Sequence, residues 1–263
     1  MFAVLTQGGM LVTPHSRAPE DICALIENHQ IELLPTSPTF LRMLLISGAY
    51  ERYDLSSLSL VTYGTEPMPA STLETLIETF PSIRFKQTYG LSELGIMSTR
   101  SKSSDSTLVK IGGDGFEYKI IDHILFIKSE SAMLGYLNYE NPFDEQGWFN
   151  TGDVVEVHGD YLRILGRKSE IINVGGEKVY PNEVESILLE ANNISDATVS
   201  GKKNPVTGQI VVAKVSLIEA EDRFAVTKRL KKHCSEHLEP YKIPMIFTVS
   251  DQPHHGERFK KKR

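Results

Sequence analysis

Three short stretches combine residue types and spacings that suit a charged, oxygen-rich ligand. The first, Gln87-Thr-Tyr-Gly-Leu-Ser-Glu93, leaves a strand pattern and meets a glycine. A glycine there lets a ligand come close to the backbone. The hydroxyl of Ser92 and the carboxylate of Glu93 then suit a phosphate oxygen and a divalent metal, since Mg²⁺ takes carboxylate, phosphate and water oxygens. The same residues also read as a strand-to-loop turn with a helix cap at Ser92. The second stretch, Gly147-Trp-Phe-Asn-Thr-Gly-Asp153, ends in an aspartate at a turn after aromatic residues. Such a carboxylate can accept two hydrogen bonds from a ribose diol, or simply make an Asx-type turn between strands. The third runs from Gly166 and Arg167 through Gly175-Gly176 to Pro181 and Glu185. An arginine just after a strand reaches a phosphate or ribose, and paired glycines admit a thin ligand arm. A linker, a hairpin and a helix start would use the same residues.

The elements that must position these stretches fall into three blocks. Up to about residue 100, helix and strand patterns alternate. Pro19 opens a helix with Ile22, Ala24, Leu25 and Ile26, and 31–34 reads as a strand. Pro38 opens a second helix with Phe40, Leu41, Leu44 and Leu45 at helical spacing. Strands at 58–61 and 83–87 flank a helix at 69–80. This alternation implies an α/β block with parallel strands and crossover helices. Residues 101–165 are β-rich, with turn signals at Gly112–Gly115, Asn141-Pro142, Gly147 and Gly159-Asp160, and read as an antiparallel barrel or twisted sheet. After a hinge at 166–169, residues 170–263 form a compact α+β unit. It has strands at 169–174 and 177–179 joined by Gly175-Gly176, a helix from Pro181, strands at 197–200 and 209–217, a helix at 222–237 and a strand at 246–249.

Composition narrows the class. Of 263 residues, 40% are apolar and 24% charged, which excludes intrinsic disorder and allows a sizeable core. With 28 basic and 34 acidic residues the net charge is −6, which argues against a nucleic-acid partner. Two cysteines fit a reducing compartment, and no run of about 20 apolar residues spans a membrane, so a cytoplasmic location is expected. The apolar opening MFAVLTQGGMLVTP lacks a basic flank and reads as a strand and turn, not a signal peptide. His233 and His237, with Cys234 between them, have metal-ligand spacing but no third ligand nearby, and read as a solvated helix face. Cys23 lies on an apolar helix face and reads as core.

Taken together and in this order, the three stretches resemble the adenylate-forming superfamily of acyl-CoA synthetases, luciferases and peptide-synthetase adenylation domains. Tyr89-Gly-Leu-Ser-Glu93 resembles that family's YGxTE segment, Thr151-Gly-Asp153 its TGD segment, and Gly64-Thr-Glu-Pro-Met68 its adenine loop. Gly166-Arg167 onward resembles its hinge and mobile C-terminal domain, in a style nearer to acyl-CoA synthetases. The resemblance implies a ligase that joins a small carboxylic acid to ATP and passes the acyl group to coenzyme A or a carrier-protein phosphopantetheine. It implies nucleotide contacts at Gly64, Thr65, Glu66, Pro67, Gln87, Thr88, Tyr89, Gly90, Ser92, Asp153 and Arg167. Tyr89 would stack on adenine, Asp153 would hold the ribose and Glu93 would bind Mg²⁺. Ser169 takes the hinge position, Gly175 and Gly176 face the pantetheine arm, and 34–45 lines an acyl pocket.

Two departures stand out. Aligning the basic end GERFKKKR with the family's catalytic-lysine segment puts Lys260 at that position, with Phe259 in place of a glycine and Lys261 and Lys262 as rivals. The family's phosphate loop, a Ser/Thr/Gly-rich run ending in Pro-Lys, occurs nowhere in the sequence. The chain therefore looks like the C-terminal part of a synthetase. An incomplete parallel sheet would expose an edge and an apolar face, so a complementing N-terminal chain or self-association is expected. A non-catalytic nucleotide-binding or assembly module is the alternative.

Overall fold

The computed structural model describes residues 2–95 and 97–250. The chain opens with a helix, α1 (Phe2–Thr6), where a strand was expected. Five residues, four of them apolar, are too few for periodicity to separate the two forms. Gly8, at φ +75°, closes the helix: its N–H donates to Leu5 O, and Gly9 N–H donates to Val4 O.

The α/β block contains α2 (Pro19–His29), β1 (Leu33–Thr36), α3 (Pro38–Ser47), β2 (Leu60–Tyr63), α4 (Ala70–Thr79) and β3 (Arg84–Gln87). The strands pair in parallel in the order β1-β2-β3. Strands β1 and β2 begin two residues later than the sequence pattern places them. Ile31 N–H still caps α2 by donating to Ile26 O, and Pro35 sits in β1 at the sheet edge, where a missing donor is tolerated. Ser37 caps α3 by accepting from Phe40 N–H, and Pro38 occupies its first turn. Ile26, Leu41, Val61, Leu73, Leu76 and Phe85 form the core beneath this sheet.

The middle block is a six-stranded antiparallel sheet: β4 (Ser98–Ser101), β5 (Val109–Gly112), β6 (Phe116–Ile121), β7 (Ile124–Ser129), β8 (Phe149–His158) and β9 (Tyr161–Arg167). Its order is β4-β5-β9-β8-β7-β6, and among the described residues its outer strands β4 and β6 do not pair, so the sheet is open. Register shifts at Ile124/Phe126 and Val154/Val155 bend it. The β7–β8 connection leaves Leu134 and Leu137 wholly in solvent.

After a 3-10 turn at Lys168–Glu170 come β10 (Ile172–Val174), β11 (Glu177–Val179), α5 (Pro181–Glu190), β12 (Ile194–Asn204), β13 (Gly208–Leu217), α6 (Arg223–His237) and β14 (Ile246–Val249). The 3-10 turn replaces the first half of the strand expected at 169–174. Strands β12 and β13 make a long hairpin, and β10 and β14 share the other edge of β13. Helices α5 and α6 pack Val184, Leu188, Val226, Leu230 and Cys234 into this unit's own core. Among the described residues no helix is long and apolar enough to cross a membrane.

Candidate functional site

Segments leaving the carboxyl ends of β2 and β3 meet the inner strands of the antiparallel sheet. Ligands in open parallel sheets gather at that end. A cleft of about 330 Å³ lies there. Thr65, Glu66 and Pro67 enter it after β2, and Gln87, Thr88, Tyr89, Gly90 and Leu91 at the end of β3. Asp153, Ile164, Gly166 and Arg167 come from β8 and β9, Ser169 and Glu170 from the 3-10 turn, and Asn182 from α5.

Local backbone constraints place these groups. Gly64 lies so close to Thr88 that an added Cβ would stand 2.6 Å from its hydroxyl and 2.7 Å from its carbonyl oxygen. The N–H of Thr88 donates to Tyr63 O at 2.7 Å, and its hydroxyl to the same oxygen at 3.0 Å. The turns after β2 and β3 are thereby tied together. Asp153 faces Arg167 across the β8–β9 pairing. Its N–H donates to Thr151 Oγ1 at 3.0 Å, and that hydroxyl donates to Leu125 O at 2.8 Å.

The electrostatic centre is Asp153, only 5% exposed. Tyr89 donates its hydroxyl to Asp153 Oδ2 at 2.5 Å, and Arg167 Nε stands 3.4 Å from Oδ1. Burial holds the Asp153 carboxyl above its ordinary range, against the opposing pull of the Tyr89 hydroxyl and Arg167. Burial, then the neighbouring Asp153 charge, pushes the Tyr89 phenol upward as well. The side-chain oxygen of buried Gln87 has no hydrogen-bond partner among the described residues. A buried carboxylate, an unsatisfied amide oxygen and a flanking guanidinium together suit a ligand rich in hydroxyl and N–H donors and carrying an anionic group.

Not every expected residue reaches the cleft. Ser92 is exposed, and no helix starts there; Leu91 and Gly95 form a β-bridge instead. Glu93 does not line the cleft; its Oε1 accepts from the Tyr136 hydroxyl at 2.7 Å. Gly64 shapes the wall without lining it. Gly175 and Gly176 form the tip of the β10–β11 hairpin at φ +60° and +96°, with open space where a Cβ would stand. Lys260, Lys261 and Lys262 lie outside the described residues. Leu91, Ile164, Glu170 and Asn182 line the cleft without having been singled out. Asn182 follows a helix-opening proline, so its sequence neighbourhood announces only a helix start.

A second cavity of about 680 Å³ adjoins the first, sharing Glu66, Pro67 and Asn182, between α3 and the C-terminal unit. From α3 it takes Pro38, Thr39, Arg42, Met43, Ile46 and Ser47. Leu41 and Leu44, expected in an acyl pocket, are buried in the core instead. His233 Nε2 bonds the Ile187 carbonyl, and no metal-binding cluster occurs among the described residues.

Comparison with known proteins shows the family. The model of the AMP-binding enzyme family matches residues 1–137, and that of the AMP-binding enzyme C-terminal domain matches 183–257. The chain belongs to the AMP-binding enzyme family. It is 33% identical over 257 residues to 4-coumarate--CoA ligase 1 of Glycine max, covering 88% of this chain and 87% of that protein. It is 31% identical over 246 residues to acyl-CoA synthetase 7 of Caenorhabditis elegans, covering 86% of this chain and 45% of the relative. The chain thus spans about half the length of most of the curated relatives it matches. Its fold follows that of an anthranilate CoA ligase bound to anthranoyl-AMP, with TM-score 0.84 and 23% identity over 95% of this chain and 52% of the other. It also follows the o-succinylbenzoate CoA synthetase of Bacillus subtilis, with TM-score 0.77 and 24% identity over 99% and 56%. This AMP-binding enzyme is therefore a member of an AMP-forming ligase family, and the mixed architecture of parallel and antiparallel sheets is that of adenylate-forming enzymes.

Proposed function

We propose that this chain carries the nucleotide site of an ATP-dependent acid–thiol ligase, which forms an acyl-adenylate and transfers the acyl group to coenzyme A or a carrier-protein pantetheine. The observation that carries the reading is the convergence of Thr65–Pro67, Tyr89, Asp153 and Arg167 on one cleft. Asp153 accepts the ribose hydroxyls, taking over from the Tyr89 hydroxyl it now holds. The ring of Tyr89 and the turn at Thr65–Pro67 flank the base, with Gln87 Oε1 as an acceptor for its amino group. Arg167 stands beside the sugar and phosphate. Glu93, which stands off the cleft lining and accepts from Tyr136, would have to give up that bond to hold Mg²⁺ together with phosphate and water oxygens, and the ion would neutralise charge on the phosphates. A single carboxylate beside a tyrosine hydroxyl fits such a water- and phosphate-rich shell. Ser169 serves as the hinge, Gly175 and Gly176 as the thin tip beside the thiol arm, and Lys260 as the cation for the α-phosphate.

The named relatives act on 4-coumarate, 2-succinylbenzoate and anthranilate, which supports a small carboxylic acid with an apolar body as substrate. A complementing N-terminal chain, or a second copy, completes the phosphate side. One other reading keeps the same cleft: the chain works as a nucleotide-binding or assembly module without catalysis. ATP–pyrophosphate exchange with a panel of aromatic and aliphatic acids separates the two. Exchange, by the chain alone or with the complementing polypeptide, supports the ligase. AMP binding by calorimetry without exchange supports the module. No AMP binding refutes both.

A further inference from the structure

The cleft takes Asn182 from the C-terminal unit, so its shape depends on where that unit sits. Helix α5 is fastened at both ends. At its start, Asn182 Nδ2 donates to Leu165 O at 3.1 Å, beside the cleft. At its end, Leu189 O accepts from Arg42 Nη2 at 2.9 Å. The same guanidinium donates to Ile194 O at 2.7 Å through Nη2 and to Ser195 O at 3.1 Å through Nε. Leu189 O lies in the last turn of α5, where a helix leaves oxygens without intrahelical partners and gathers partial negative charge, and Ile194 O and Ser195 O lie at the irregular start of β12, where the pairing with β13 shifts register. A planar fork of N–H donors matches such a cluster in a way an ammonium does not. Arg42 itself stands on α3, beside the buried Leu41 and with Nη1 3.5 Å from Thr72 on α4. Its base belongs to the first unit and its head to the last. Burial works against its charge and Asp196 supports it, so the guanidinium is spent on this junction.

We propose that Arg42 is a positioning residue, a latch that holds α5 where Asn182 closes the nucleotide cleft. It does not line the cleft and acts through the helix. The proposal rests on the nucleotide reading for what fills the cleft, but not for the latch itself.

Arg167 and Lys168, both exposed, offer trypsin sites at the junction of the two units. In the full chain, Arg42→Met should raise cleavage after these residues roughly tenfold relative to cleavage after Lys110, as loss of three carbonyl contacts frees local opening. Arg42→Lys should fall between. AMP should slow this cleavage in the wild type and do so less in Arg42→Met, whose AMP affinity drops several-fold. Junction cleavage at the wild-type rate in folded Arg42→Met, or an equal rise after Lys110, overturns the latch. Should Arg42→Met fail to fold, Arg42→Lys decides by the same ratio, and a wild-type rate refutes the proposal. If the wild type binds no AMP, the nucleotide reading fails while the cleavage ratio still decides the latch.

Discussion

Replacing Asp153 by asparagine should weaken nucleotide binding and stabilise the empty protein, two effects of opposite sign from one atom change. The carboxylate is 5% exposed and burial raises its proton affinity, so at neutral pH the fold holds a charge in an unfavourable place. The sign follows from linkage. The folded value lies above the ordinary 3.8, so the group's contribution to stability is full below that value and is lost as pH rises through the folded one. Asparagine removes this loss and can still accept from Tyr89. Toward AMP, the substitution loses the charge-assisted part of the ribose contacts, about 1.5–3 kcal/mol, or roughly a 10- to 150-fold weaker Kd. Thermal melts from acidic to neutral pH and titration calorimetry with AMP check the two halves. AMP affinity of the wild type should fall on acidification at a higher pH than an ordinary aspartate would give. A lower melting temperature for Asp153→Asn at neutral pH, or an unchanged Kd, would refute the reasoning.

Gly64→Ala drives a methyl group against the Thr88 carbonyl, a backbone atom that no rotamer relieves, so urea unfolding should show a loss of about 1–3 kcal/mol. Lys242 Nζ lies 2.6 Å from Glu183 and 2.8 Å from Glu239 with its side chain 12% exposed. Removing it in Lys242→Met should cost about 1–2 kcal/mol, discounted for the exposure of both carboxylates. Burial pulls the Lys242 ammonium down, but the two glutamates win and raise it above 10.5, while Lys242 holds Glu239 below 4.5. The stability that the variant lacks should therefore vanish in the wild type as pH rises through the lysine's raised value, or falls through the glutamate's lowered one; melts across pH read both flanks. Cys23 and Cys234 are buried and free, with thiols pushed up to about 11 by burial. At pH 8 (~ the usual labelling range) neither should react with a disulfide reagent until denaturant is added, and prompt labelling would contradict the packing.

The sequence disclosed the order of elements and the polar turns, because helix-opening prolines, capping hydroxyls and alternating apolar residues act locally. Pro38, Pro181 and the Gly175-Gly176 hairpin stand where their chemistry demands. Boundaries slipped where a neighbour decides them. Pro35 is tolerated in β1 because β1 pairs on one side alone, and Ser169 bends into a 3-10 turn instead of joining β10. The site was legible as three turns but not as a network. The Tyr89–Asp153 bond joins residues far apart in sequence, and no local rule announces it. Glu93 turned to Tyr136, and Asn182 entered the cleft through the placement of a whole helix. Both are tertiary facts. The apolar face of α3 was legible, yet Leu41 and Leu44 fill the core and leave Arg42 and Met43 to the cavity.

The long β12–β13 hairpin sets an order of assembly. Its pairing joins neighbours in the chain across a tight turn, whereas the β1-β2-β3 sheet must wait for two helical crossovers. Loop closure over short spans is fast and over long ones slow. The last unit should therefore gain hydrogen-exchange protection first during refolding. The parallel strands then mature against a neighbour that is already solid.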